Sequence, residues 1–264
     1  MIQMPVTACK TDNLHTAREY LRRAKEAGAD LAILPEMFCC LYTNAAFVAN
    51  AEPAGGMIWT AMSEAAKALN LWLVAGSMPE RDGEYIYNTS FVFDPEGNQV
   101  GRHRKMHLFD IDVKGGQRFM ESETFTAGDD VTVFETPFGK LGLCICFDMR
   151  FPELARAMTL AGAQAILVPA AFNMTTGPLH WELMFRQRAV DNQLFTVGVA
   201  PARDETGPYV SYGNTIVCSP WGRILCRADA APELLMAELD FGGNTAVRAQ
   251  LPLLSARRTD VYGN

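Results

Sequence analysis

The sequence predicts an α/β fold in which a mixed β-sheet is covered by helices, and two observations predict it. Short β-branched or apolar runs alternate with amphipathic helical patterns, and two of the runs are folded back by Pro/Gly turns. The first run is Leu31-Ala-Ile-Leu34, followed by Leu71-Trp-Leu-Val-Ala75 and Tyr85 to Phe93. The later ones are Val131 to Glu135, Leu141 to Ile145, Ala165-Ile-Leu-Val168, Leu194 to Val199 and Thr215 to Cys218. Their continuous apolar character is that of strands with both faces covered. Helical patterns separate several of them. Asn13 to Ala27 is expected as a helix capped by Asp12 and closed by Gly28 at the C′ position. Met57 to Leu69 reads alike, as does Pro152 to Ala161, with Pro near its start and Gly162 past its end. Gly177 to Asn192 makes a fourth helix. The hairpins are Phe91-Val-Phe-Asp-Pro-Glu-Gly-Asn-Gln-Val-Gly101 and Ile216-Val-Cys-Ser-Pro-Trp-Gly-Arg-Ile-Leu225, and they require antiparallel pairing within the sheet. No linker, low-complexity stretch or short-period repeat interrupts the 264 residues, which predicts a single domain over 1–264.

Composition narrows the function. A formal net charge of −7 disfavours nucleic acid and anionic membrane as partners, since both need a basic face. A small anionic ligand stays compatible, because one buried arginine reverses the local field. The start, Met1-Ile-Gln-Met-Pro-Val6, shows neither a basic region nor a long apolar stretch, so no secretory signal is expected. No run approaches the roughly 18 apolar residues of a membrane span. The cysteines number seven, an odd count, and Cys39 and Cys40 are adjacent, which suits a reducing cytoplasm better than a disulfide framework. Cys144 and Cys146 form a C-x-C without a second pair or nearby histidine, so no metal site is expected.

Three segments place unusual polar residues where strands end. The most informative is Leu141-Gly-Leu-Cys-Ile-Cys-Phe-Asp-Met-Arg-Phe-Pro-Glu153, in which Cys146 sits between an apolar strand and a helix start. The partial positive charge of a helix N-terminus favours a thiolate, which is what a cysteine nucleophile needs. The plainer reading is a buried structural cysteine. In Leu31-Ala-Ile-Leu-Pro-Glu36 a carboxylate follows a buried strand directly, at the end where α/β sheets carry their sites; the plainer reading is a capping or surface glutamate. In Gly101-Arg-His-Arg-Lys105-Met-His-Leu-Phe109 a basic run follows the first hairpin. Such a run is usually a solvated face, but Lys105 adjoins apolar neighbours that would draw it inward.

Together these segments resemble the carbon–nitrogen hydrolase (nitrilase) superfamily, whose members share a Glu–Lys–Cys triad in that chain order. The matching residues are Glu36 in Leu-Pro-Glu-Met-Phe, Lys105 in Arg-Lys-Met-His-Leu and Cys146 in Ile-Cys-Phe-Asp-Met-Arg-Phe-Pro-Glu, and the resemblance extends to the closing Arg257-Arg-Thr-Asp-Val-Tyr262. It implies a four-layer αββα sandwich of two mixed β-sheets flanked by helices, assembled as a homodimer or higher homo-oligomer, with no cofactor. In the chemistry it implies, Glu36 is the proton carrier and Cys146 attacks an amide to form a thioester. Lys105 and the backbone N–H of Phe147 hold the oxyanion. Glu121 matches a second family glutamate, with Glu123 close enough in sequence to compete for the assignment.

Lys105-Met-His-Leu-Phe-Asp-Ile-Asp-Val113, Ala171-Phe-Asn-Met-Thr-Thr-Gly-Pro-Leu-His-Trp-Glu182, Arg188-Ala-Val-Asp-Asn-Gln193 and Ser211-Tyr-Gly-Asn214 are similar to the ω-amidase branch. That branch implies a small anionic amide as substrate, a 2-oxo dicarboxylic acid monoamide. Arg150 is its candidate carboxylate receptor. Its plainer reading is an ion pair with Asp148 or Glu153. Tyr42, Phe172 and Thr176 match further substrate-contacting positions, while His180, Trp181 and Glu182 read as packing and bracing residues of the Gly177 to Asn192 helix. His107 would suit a Cys–His mechanism, but no orienting Asn or Asp partner is evident. Deaminated-glutathione amidases, N-carbamoyl hydrolases and nitrilases share the triad, and a scaffold that lost catalysis would keep the fold alone. Two departures stand out. Cys144 replaces the branch's usual Gly and faces the same side as Cys146 by strand alternation. The chain also begins at Ile2-Gln-Met-Pro, where relatives carry more strand residues, which implies a shortened first strand or a start upstream of Met1.

Overall fold

Strands covered on both faces and helices with one apolar stripe bury both only by stacking in layers. A computed structural model describes residues 1–262 of the protein and shows how they stack. The amino-terminal part runs β1 (Ile2–Gln3), α1 (Lys10–Glu26), β2 (Leu31–Ile33), α2 (Asn44–Asn50), α3 (Met57–Leu69), β3 (Trp72–Asp82), β4 (Tyr85–Phe93), β5 (Gln99–Arg104), β6 (Asp110–Asp112) and β7 (Arg118–Met120). It continues with β8 (Thr132–Thr136), β9 (Gly139–Leu143), α4 (Pro152–Leu160), β10 (Ala165–Pro169), α5 (Gly177–Asn192) and β11 (Phe195–Val199). The last elements are β12 (Ile216–Cys218), β13 (Ile224–Arg227), β14 (Glu233–Leu234), α6 (Gly242–Gln250) and α7 (Thr259–Tyr262).

One sheet has the order β2-β3-β4-β5, the other β13-β12-β11-β10-β9-β8. Both are mixed: β2 runs parallel to β3, and β9, β10 and β11 are parallel, while the remaining neighbours are antiparallel. Strand alternation separates the layers. In β10, Leu167 packs between the sheets with Ile33, Val74, Val92 and Val197, whereas Ile166 and Val168 face outward against α4 and α5 through Leu154, Met158, Trp181 and Phe185. On the far side Leu14 and Leu21 of α1 and Met62 of α3 cover Leu73 and Phe91. This is the αββα sandwich, and both expected hairpins are present as β4–β5 and β12–β13.

Three local features differ from expectation. The first helix begins at Lys10 after Cys9, with Asp12 inside its first turn rather than capping it. The buried Asn13 side chain instead reaches back to Thr7, accepting its N–H and donating to its carbonyl, both at 2.8 Å. The strand expected over Leu71 to Ala75 extends to Asp82 and pairs with β4 as a further hairpin. Helix α2, seven residues with Thr43 as its cap, is too short to show a periodicity in sequence.

The bulge in the β3–β4 pairing after Ala75 positions the segment beyond β2. Ser77 Oγ accepts the Met37 N–H at 3.0 Å, and Ser77 N–H donates to the Pro35 carbonyl at 3.3 Å. Gly76 has φ +23°, and a Cβ there would lie 2.1 Å from the Pro35 carbonyl oxygen. No side chain fits against that backbone. We expect Gly76→Ala to destabilise the fold by about 2 kcal/mol or more and to displace Glu36, seen as a lowered urea midpoint. An unchanged midpoint would show that the Pro35 segment moves freely.

Candidate active site

Glu36, Lys105 and Cys146 arrive from β2, β5 and β9 at one end of the sandwich. The run Arg102 to Lys105 obeys strand alternation rather than forming a solvated face. Arg102 and Arg104 point outward to Glu80, whereas His103 and Lys105 are fully buried. Lys105 Nζ donates to Glu36 Oε1 at 2.9 Å and contacts both oxygens of Glu121 at 3.0 and 2.9 Å. Glu36 Oε1 also accepts from Asn88 Nδ2 at 2.9 Å and lies 3.2 Å from the Tyr42 hydroxyl oxygen, leaving Oε2 buried without a protein partner. Glu121 accepts the Tyr42 hydroxyl at 2.5 Å and the Phe109 N–H at 2.7 Å. Glu123 is exposed and bonded to Asn44, so the structure brings Glu121, and not Glu123, to the lysine.

Cys146 stands at φ +47°, a conformation that costs a side-chain-bearing residue about 1–3 kcal/mol and clusters at functional sites. It opens a 3-10 turn, Cys146–Arg150, and α4 begins only at Pro152. The expected help from a helix N-terminus is therefore a single short turn. The local field opposes a resting thiolate: burial and then the Glu36 charge push the thiol pKa well up, against Lys105 and the Ala171 backbone N–H. Burial likewise raises the Glu36 pKa, against the pull of Lys105. Lys105 is desolvated too, but Glu121 and Glu36 outweigh this and hold its ammonium charged. The resting site thus pairs a neutral thiol with a carboxylate of raised basicity and a fixed cation. Cys144 is buried in the apolar cluster with Met149 and Met158, beneath the turn.

Asp148 fastens the turn to the lysine strand. Its Oδ1 accepts from Met106 N–H at 3.1 Å, His107 N–H at 2.9 Å and His107 Nδ1 at 2.8 Å. Its Oδ2 accepts from Ile145 N–H at 3.0 Å and His103 Nε2 at 2.9 Å. Burial alone would raise its pKa, but the His103 and His107 hydrogen bonds outweigh it and hold the carboxyl well below the usual range. Asp148 also corrects the reading of His107, which does have an orienting aspartate; its ring stacks on Phe151 at 3.6 Å.

The ion pair expected as the plainer role of Arg150 is not formed, because Asp148 is committed to these donors. Arg150 Nη1 instead lies 3.0 Å from His180 Nδ1, and its guanidinium carbon sits 4.8 Å from the Phe172 ring and 5.5 Å from the Phe147 ring. Its Nε is buried without a partner. Trp181 and Glu182 do brace α5, through the Asn214 carbonyl and Arg227 respectively. Thr176 precedes α5, and its hydroxyl donates to Asn173 Oδ1 at 3.1 Å. Tyr209, absent from the sequence reading, stacks 4.5 Å from Tyr42 and donates its hydroxyl to the Ala171 carbonyl. Asn88 and Asp148 also escaped notice as site residues. Nothing in an isolated sequence marks a strand asparagine or a loop tyrosine as part of a distant turn's surroundings.

Fold and site together define a hydrolase with a cysteine held beside a buried Glu–Lys pair. The sequence profile described as carbon-nitrogen hydrolase matches residues 1–249, and this chain belongs to that family. It is 44% identical over 262 residues to omega-amidase NIT2 of Danio rerio, covering 99% of this chain and 95% of that one. It is 41% identical to omega-amidase NIT2 of Homo sapiens, with coverage of 99% and 95%. Among solved structures, Nit3 of Saccharomyces cerevisiae, a member of branch 10 of the nitrilase superfamily, superposes with a TM-score of 0.90 at 37% identity, covering 98% of this chain and 95% of that one. An amidase from Nesterenkonia sp. AN1, with the acetamide moiety of fluoroacetamide added covalently at its active-site cysteine, superposes with a TM-score of 0.81 at 26% identity, covering 99% and 93%.

Replacing Asp148 by Asn would put an amide donor among groups that all donate. We expect Asp148→Asn to cost on the order of 3 kcal/mol and to lower kcat by loosening the Cys146 turn against Lys105. The folded pKa of Asp148 lies below its ordinary 3.8, so its stabilisation is present above that value and is lost as pH falls through the lower one. Urea melts over that acid range should therefore fall less steeply in the variant than in the wild type.

Proposed function

We propose that the enzyme is an ω-amidase, hydrolysing the side-chain amide of 2-oxo dicarboxylic acid monoamides such as 2-oxoglutaramate and 2-oxosuccinamate to the keto acid and ammonia. The observation that carries this reading is Arg150. It is a cation at the end of the Cys146 turn with a buried, unpartnered Nε and no carboxylate paired to it among the described residues. Burial lowers its pKa, so a pairing anion is what the site lacks. A substrate carboxylate supplies that anion and sets the far end of the molecule, with the amide carbon toward the sulfur. Similarity to omega-amidases over nearly the whole chain supports the same reading.

In this mechanism Cys146 Sγ attacks the amide carbon while Glu36 takes the thiol proton. Lys105 Nζ and the Phe147 backbone N–H face the developing oxyanion. Collapse returns the proton through Glu36 to the departing nitrogen, and ammonia leaves a thioester. Glu36 then accepts a proton from water as it attacks the thioester, and the thiol is restored with release of the keto acid. A cavity of about 50 Å³ borders Glu36, Tyr42, Ala171 and Tyr209, enough to admit water to that carboxylate. Glu121 holds Lys105 charged and fixes Tyr42. Tyr42, Phe172 and Thr176 are assigned to substrate contact.

The same reading takes residues 1–264 as a single domain acting in the cytoplasm as a homodimer or higher homo-oligomer. The odd number of cysteines and the adjacent Cys39 and Cys40 support a reducing compartment. No helix among the described residues is long and apolar enough to cross a membrane. Leu179 and Leu183 stand exposed on the outer face of α5, a surface that self-association would cover.

Cys146→Ala should abolish ammonia release from 2-oxoglutaramate while leaving the thermal melt near that of the wild type; persisting turnover would refute the covalent route. Because Glu36 must be ionised to accept the thiol proton and its pKa is raised, kcat/KM should fall with decreasing pH along a limb above the ordinary Glu value of 4.5. Arg150→Ala should raise KM for 2-oxoglutaramate by about a hundredfold, the scale of losing a charge-assisted bidentate contact.

A further inference from the structure

Among the described residues the Arg150 guanidinium has one nitrogen or oxygen side-chain partner, His180 in the first turn of α5, with His180 Nδ1 3.0 Å from Arg150 Nη1. A guanidinium carries only donors, so the imidazole nitrogen accepts, and His180 is the neutral tautomer with its proton on Nε2. Burial and then the Arg150 charge lower the His180 pKa, which keeps that lone pair available at neutral pH. The remaining neighbour of Nη1 is Met184 Sδ at 3.7 Å. One side of the guanidinium is thus occupied by α5. Phe172 and Phe147 flank the group and restrict its tilt. The other side is the Nε–Nη2 edge, whose Nε is buried without a partner. That edge presents two parallel N–H groups, the spacing that matches both oxygens of one carboxylate.

We propose that His180 is a specificity-determining positioning residue: by accepting from Nη1 it turns the Nε–Nη2 edge of Arg150 toward the carboxylate of the amide substrate. The proposal deepens the ω-amidase reading and rests on it. His180 need not touch the reacting atoms. Its effect is to hold a long, flexible side chain in the binding geometry before the substrate arrives, so that less ordering entropy is lost on binding. A bracing role in α5 alone would leave the contact with Arg150 without consequence, because Trp181 already ties the helix to the Asn214 carbonyl.

The two roles separate in steady-state kinetics on 2-oxoglutaramate and on an uncharged amide of the same chain length. His180→Leu and His180→Phe both remove the acceptor, the second while keeping a ring in place. In each, the ratio of kcat/KM for the anionic over the uncharged amide should fall about tenfold, carried by KM rather than kcat. His180→Asn, which returns an acceptor oxygen close to the position of Nδ1, should recover most of that ratio. Thermal melts of all three establish that they are folded. A ratio unchanged in both acceptor-free variants, or equal losses on the two amides, overturns the proposal and leaves the ω-amidase reading standing. Should the wild type show no preference for the anionic amide and Arg150→Ala alter nothing, the reading itself fails and the proposal falls with it.

Discussion

The site depends on one buried cation. Lys105 brings an ammonium to a place with no solvent access, and Glu36 and Glu121 hold it from opposite elements, one following β2 and the other following β7. Removing such a charge from water costs several kcal/mol, and only close, well-directed partners repay it. The three residues are therefore a unit. Taking away either carboxylate leaves a half-compensated lysine, and taking away the lysine leaves two carboxylates in contact through Tyr42. The arrangement is poor value as a stabilising device, since apolar residues of similar volume would serve better. Its retention makes sense where charge must be fixed in advance for a developing oxyanion.

The nucleophile is prepared by strain and position more than by acidity. Cys146 takes a left-handed conformation at the end of β9, and Asp148, two residues on, gathers donors from the Lys105 strand and from the turn's own start. One carboxylate thereby ties the thiol's turn to the Lys105 strand. Because burial and Glu36 keep the sulfur protonated, proton transfer has to accompany attack, and Glu36 has its raised basicity for the same reason. Desolvation that suppresses the free thiolate also strengthens the base that removes its proton.

Much of the fold was legible because the chain alternates cleanly. Ala165 to Val168 and Leu194 to Val199 could hardly be anything but covered strands, and Gly28 and Gly162 stand where helices close with positive φ. The two-sheet arrangement was not readable from periodicity: Leu167 and Ile166 look alike in sequence, and only the partner sheet tells which face is which. Among site residues, Glu36, Lys105 and Cys146 were marked by standing at strand ends in family-like segments. Asp148 enters the sequence reading only as one alternative partner for Arg150, beside Glu153, because proximity is all a sequence offers; the tertiary fold gives it His103 and His107 instead. His180 was read as a bracing residue because its contact with Arg150 spans thirty positions.

In the ω-amidase reading proposed above, the turn Cys146–Arg150 carries both the chemical and the selective ends of the site. That economy has a physical cost and a benefit. Two strongly polar groups of opposite habit, a thiol held neutral and a guanidinium, are built within five residues. Their surroundings differ. The sulfur lies among Glu36, Lys105 and the Ala171 backbone, while the guanidinium lies between aromatic rings and an imidazole lone pair. Aromatic faces tolerate a cation without neutralising it, unlike a carboxylate, which would compete with the substrate. An Asp or Glu in place of His180 would hold Arg150 just as firmly but would neutralise the charge proposed to receive an anionic amide. On the proposed reading, a neutral acceptor orients the receptor and leaves its charge for the ligand.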